Sequence, residues 1–99
     1  MEDTVASLPS LDLLRHHVRT VLCRHDQLDP EQTPMHQSLI TQSGRPCGLF
    51  FEVQGPRMVR THAVWAGEEG RILFYDTHGQ RFAQTRLSEG PDPRQIDLV

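Results

Sequence analysis

Between Cys47 and Leu87 the chain runs through consecutive strand-like segments, Leu49 to Gln54, Met58 to Ala66, Arg71 to Asp76 and Gln80 to Leu87, whose alternate residues are apolar on both faces. A period of two is the signature of a strand, because successive side chains leave it on opposite sides. The breaks between these segments are Gly55-Pro56, Gly67-Glu68-Glu69-Gly70 and His78-Gly79. Connections this short cannot carry a parallel crossover, so neighbouring strands must form antiparallel hairpins. The segment therefore folds as a meander.

The turns also predict registers. A two-residue turn at His78-Gly79 sets Asp76 opposite Arg81 and Tyr75 opposite Phe82, and the Gly67 to Gly70 turn sets Val64 opposite Leu73 and Ala63 opposite Phe74. A tight Gly55-Pro56 turn pairs Val53 with Met58 and Phe51 with Arg60. One face then carries Leu49, Phe51, Val53, Met58, Val64, Leu73, Tyr75 and Phe82 with Arg60 and His62 among them, and the other carries Phe50, Val59, Ala63, Trp65, Ile72, Phe74 and Ala83 with Glu52, Thr61 and Asp76. Both faces are apolar. A one-residue error in any turn exchanges the faces beyond it, yet adjacent Phe50 and Phe51 point to opposite sides in every register.

Upstream, Leu11, Leu14, Val18, Val21 and Leu22 recur at helical spacing within a stripe of about 100°. Ser10 or Ser7 supplies an N-cap, Asp12 lies in the first turn, and Arg24 and His25 lie at the C-terminal end, bounding a helix of about 15 residues. His25 falls near the centre of the apolar stripe, as a core histidine would. Leu13, His16, Thr20, Cys23 and Arg24 mark the solvated side. The Pro-rich stretch from Asp26 to Met35 reads as a linker, and His36 to Gln42 as an edge strand, with a second helix over residues 33–43 as the competing assignment. Residues 1–9 and 88–99 are polar or rich in helix and strand breakers, so the expectation is a frayed N-terminus, a single α+β domain over 10–87 and a flexible tail. The expected fold is one N-terminal amphipathic helix on a four- to five-stranded antiparallel meander. Its second apolar face requires a partner, a ligand or curling toward a small barrel.

Composition narrows the chemistry. The chain of 99 residues has a formal charge of −3 and contains no Lys and no Asn. A Schiff-base lysine, a Walker A lysine and an N-glycosylation acceptor are thereby excluded. No apolar run is long enough to span a bilayer, and Met-Glu-Asp-Thr lacks the basic and apolar regions of a secretory signal, which sets the expectation of a cytoplasmic protein. The two cysteines, Cys23 and Cys47, are too sparse for a stapled scaffold and are expected as free thiols.

No catalytic, nucleotide or metal motif stands out. His16 and Cys23 share a helix side, but the ligand spacings of a closed zinc site are missing, so neither metal nor cofactor is expected. Cys47 follows a turn without a recognisable activating base, and no serine sits in a nucleophile elbow, so the chain is not expected to be an enzyme. Arg60 and His62 alternate on one strand near Tyr75, and Trp65 and the Phe50-Phe51 pair are large anchors. These six residues are the candidate binding positions. The expected function is a non-enzymatic interaction module, self-associating as a homodimer or binding another protein through the uncovered sheet face. The alternative is a single-stranded nucleic-acid-binding domain using the sheet arginines and aromatics, which the acidic net charge disfavours. A small-ligand site or a thiol enzyme is a weaker expectation still, and nothing points to a membrane.

Overall fold

A computed structural model describes residues 1–96 of the chain. It contains one helix, α1 (Leu11–His25), and six strands: β1 (Glu2–Ser7), β2 (Met35–Gln42), β3 (Arg45–Gln54), β4 (Arg60–Ala66), β5 (Arg71–Tyr75) and β6 (Arg81–Glu89). The strands form one sheet in the order β1-β6-β5-β4-β3-β2. Every neighbouring pair is antiparallel except β1–β6, which is parallel. The fold is thus α+β, with β1 and β2 as its two edges. Closure into a barrel does not occur.

The helix starts where its cap chemistry dictates. Ser10 is extended, and its hydroxyl accepts a hydrogen bond from Leu13 N at 3.2 Å, satisfying an otherwise orphan donor of the first turn. From there Leu14, Val18, Val21 and Leu22 descend one side and meet the sheet. They pack on Leu49, Phe51 and Val53 of β3, Ala63 and Trp65 of β4, and Ile72 and Phe74 of β5. Burying one such aliphatic or aromatic side chain contributes about 1.5–3 kcal/mol, so this layer holds the domain together. Ile96, beyond the last strand, also enters the core.

Two threonines occupy the helix-facing side where apolar residues would be expected. Thr61 on β4 donates to Asp26 Oδ2 at 2.6 Å, and Thr85 on β6 shares a 2.9 Å hydrogen bond with His17 Nε2. Thr85 is also 3.0 Å from Thr4 Oγ1 of β1. Both are buried, and among the described residues no buried side-chain polar atom lacks a partner. A hydrogen bond left unmade in that layer would cost about 1–3 kcal/mol, so these contacts fix the helix over the sheet at two points. Burial, aided by the charges of Arg24 and His16, holds the His17 imidazole below its ordinary titration range.

Several details depart from the sequence expectations. Residues 2–7, expected to fray, pair with β6 from Glu2↔Ala83 to Ser7↔Glu89, and β6 itself runs on to Glu89. Residues 97–99 of the expected tail lie outside the described residues. Residues 35–42 are strand rather than helix, pairing with β3 at the sheet edge as expected. Cys23, expected on the solvated side, is buried because residues 28–33 fold back over it, with Leu28 N donating to Cys23 O at 2.8 Å. That burial raises the thiol above its usual range. His25, expected in the core, is exposed and stacks on Phe82 at 3.7 Å.

The largest correction concerns the turn between β3 and β4. Instead of a tight Gly55-Pro56 bend, the chain makes a wider loop in which Gly55 N donates to Val59 O at 2.8 Å, with Arg57 and Met58 both at φ 62°. Val53 therefore faces Thr61 rather than Met58, and Phe51 faces Ala63 rather than Arg60. The shift is odd, so β3 exchanges faces relative to the rest of the sheet. Leu49, Phe51 and Val53 join Ala63, Trp65, Ile72, Phe74 and Ala83 under the helix, in one layer with the hydrogen-bonded Thr61 and Thr85.

Candidate functional site

Among the described residues no element packs over the sheet face turned away from α1, whose large side chains are half-buried or buried by one another. Three rows of side chains cross it. The first runs His36, Glu52, His62, Tyr75 and Arg81, the second Ser38, Phe50, Val64, Leu73 and Gln84, and the third Ile40, Gly48, Ala66, Arg71 and Arg86. Leu73 is 7% exposed although it takes no part in the helix-facing core, and Phe50, Val64 and Tyr75 are half-buried. The centre is apolar and its margin is charged.

Four of the six candidate binding residues lie here. Phe50 of the second row and His62 and Tyr75 of the first form a continuous aromatic run, with ring centroids 5.5 Å apart for the first pair and 5.1 Å for the second. The His62 and Tyr75 planes are only 13° apart, and the Arg81 guanidinium sits 5.8 Å from the Tyr75 centroid. Arg60 is exposed at the end of β4, where its backbone N–H donates to Thr77 Oγ1 at 3.2 Å. Phe51 and Trp65 are elsewhere. They are 0% and 1% exposed beneath the helix, so neither can touch a partner on the open face.

A bulge explains how Arg81 joins the row. The expected pairs Tyr75–Phe82 and Asp76–Arg81 are not made, because β6 carries an extra residue at Phe82 that sets Tyr75 opposite Arg81. Phe82 turns to the helix side, against Phe74 and His25. Asp76 closes the turn instead, its carboxylate accepting from His78 N and Gln80 N at 2.9 Å each. Those two bonds hold the Asp76 carboxyl below the usual carboxylate range. The Val64–Leu73 and Ala63–Phe74 pairs are as expected.

Charges on this face divide into two sets. Arg71 is paired with Glu69 at 2.6 Å and Arg86 with Asp3 at 2.9 Å. Glu52, Arg60 and Arg81 make no salt bridge among the described residues. The sequence does not mark Glu52 and Arg81 as site residues: Glu52 reaches His62 only through the wide β3–β4 loop, and Arg81 reaches Tyr75 only through the bulge at Phe82.

The other chemistry-bearing groups are dispersed. Cys47 is the extra residue where the β2–β3 register shifts, in a hollow of about 160 Å³ with Ile40, Val64, Ala66 and Glu68 on its walls, and its thiol donates to the Ile40 carbonyl at 3.4 Å. No histidine lines that hollow. Among the described residues no group of three or more potential ligands is placed to hold a metal ion. Among the described residues no helix is long and apolar enough to cross a membrane. Set beside protein-family models, curated proteins and solved structures, the chain matches none of them.

Proposed function

We propose that this chain is a non-enzymatic interaction module that associates with a second copy of itself through the open face of its sheet. The observation that carries this reading is the row-ordered patch of Phe50, Val64, Leu73 and Tyr75 on the face opposite α1. Side chains of that size, gathered at the centre of a sheet and rimmed by arginines and acids, have the layout of an interface core and its polar margin. Face-to-face packing of two such sheets places them about 10 Å apart, the usual separation in a sandwich.

Light scattering across a wide dilution series tests the reading. The expected result is a mass that doubles as concentration rises, and a Phe50→Asp variant that stays monomeric while keeping its circular dichroism spectrum. A monomer at all concentrations overturns the proposal.

Single-stranded nucleic acid is the other occupant that this surface chemistry admits, since Arg60 and Arg81 flank the aromatic row. The stacking of His62 on Tyr75 argues against it, because the two rings turn their faces to each other rather than to a base. Binding of mixed oligonucleotides at low salt, lost steeply as salt rises, would favour that occupant instead.

A further inference from the structure

The open face carries its own docking instructions, and they rest on the self-association proposed above. We infer that two copies pack about a twofold axis running parallel to the strands between β4 and β5, with Glu52 of each copy paired to Arg81 of the other.

A twofold axis in that position leaves each row at its own level and reverses the strand order across it. Strand β3 then lies over the second copy's β6, and β4 over its β5. In the first row Glu52 meets Arg81 and His62 meets Tyr75; in the second Val64 meets Leu73 and Phe50 meets Gln84. Each of these contacts occurs twice. Glu52 and Arg81, the outermost of the four first-row side chains on β3 to β6, are also charges with no ion-pair partner within their own chain among the described residues. Both side chains are long enough to meet across sheets about 10 Å apart.

Other axes fit less well. An axis along β4 itself sets Glu52 against Tyr75 and brings His36 to Arg81, so the acid finds no base. An axis perpendicular to the strands exchanges the first and third rows and sets Arg81 against Arg86, a like-charge contact. Area agrees with a modest interface. Four strands about 4.8 Å apart and some 20 Å long present roughly 400 Å² in projection per copy, more in accessible area, at the low end of specific interfaces. A reversible dimer follows.

Charge reversal tests the pairing by sedimentation velocity. Glu52→Arg and Arg81→Glu should each weaken the dimer on the order of 100-fold, because two attractive contacts become two repulsive ones. The Glu52→Arg/Arg81→Glu double variant should recover it, and an equimolar mixture of the two single variants should form a heterodimer. Dimers that survive both single changes, or a double variant that fails to recover, overturn the pairing. If Phe50→Asp still dissociates those same dimers, the open-face reading stands and only the axis fails. If wild type never associates, both fall together.

Discussion

Replacing Gly48 with alanine probes the sheet at its tightest point. The Gly48 backbone is in a conformation any residue can adopt, so with space available alanine would stabilise by about 0.4–1 kcal/mol through the unfolded chain. Space is what is missing. A Cβ there would stand 1.9 Å from the Trp65 carbonyl oxygen and 3.1 Å from the Trp65 carbonyl carbon. Both are backbone atoms, so no side chain can swing aside, and β3 and β4 must part by roughly 1.5–2 Å to reach ordinary van der Waals contact. The Gly67 N to Cys47 O bond of 2.9 Å spans the same point and lengthens with that movement. Losing one or two such bonds, at about 1 kcal/mol each, and displacing the buried Trp65 from its packing sums to about 2–4 kcal/mol. In a domain of this size that lowers Tm by roughly 10–30 °C. Trp65 is the single tryptophan, so its fluorescence and far-ultraviolet circular dichroism report urea unfolding of core and backbone together. Gly79→Ala is the comparison: it meets nothing within 4 Å but has φ +80°, and should cost about 1 kcal/mol through backbone strain alone. A Gly48→Ala protein as stable as Gly79→Ala would refute the close-approach reasoning.

Phe51→Ala should lose about 3–5 kcal/mol by leaving a core cavity, whereas Phe50→Ala should cost far less in the monomer and act on self-association, which urea titrations at two protein concentrations would separate. Thr61→Val keeps the shape but removes the 2.6 Å bond to Asp26, and should destabilise by about 1–3 kcal/mol in chemical denaturation. Because burial makes His17 titrate lower in the folded chain than a free histidine, at about 6.5, the unfolded chain takes up the proton first as pH falls. Stability should therefore decline as pH drops through about 6.5 and level off below the folded value, and His17→Gln should flatten that slope in pH-dependent melts. Ser10→Ala should lose about 1 kcal/mol at the N-terminus of α1, read by thermal melting.

What was legible in the sequence depended on whether the information was local. The 3.6-residue stripe and the Ser10 cap specify α1 within a single turn of each end, and the helix runs from Leu11 to His25. The four-residue Gly67 to Gly70 turn determines its register by length, and the Val64–Leu73 pairing follows. The β3–β4 connection resisted because its geometry depends on two left-handed non-glycine residues, Arg57 and Met58, which carry no turn signal. That one turn decides which of Phe50 and Phe51 is core. The Phe82 bulge is similarly invisible, since one extra residue in a strand alters pairing without altering composition. Strand β1 escaped notice because its partner is β6, far along the chain, and no local pattern encodes a pairing of that range. Of the candidate site, Phe50, Arg60, His62 and Tyr75 share the open face; Phe51 and Trp65 were drawn in by size alone, and size serves a core as well as an interface.

The parallel pairing of β1 with β6 also orders events in time. During synthesis the residues of β1 emerge before any of the strands they will join, and their partner emerges after every other strand of the sheet. Until then the Thr4 hydroxyl has no Thr85 to meet, and His17 looks onto an incomplete layer. Docking of β1 is thus a late step that closes a loop of nearly the whole domain, and it should appear kinetically as a slow phase reported by β1 but not by the β3–β4 hairpin.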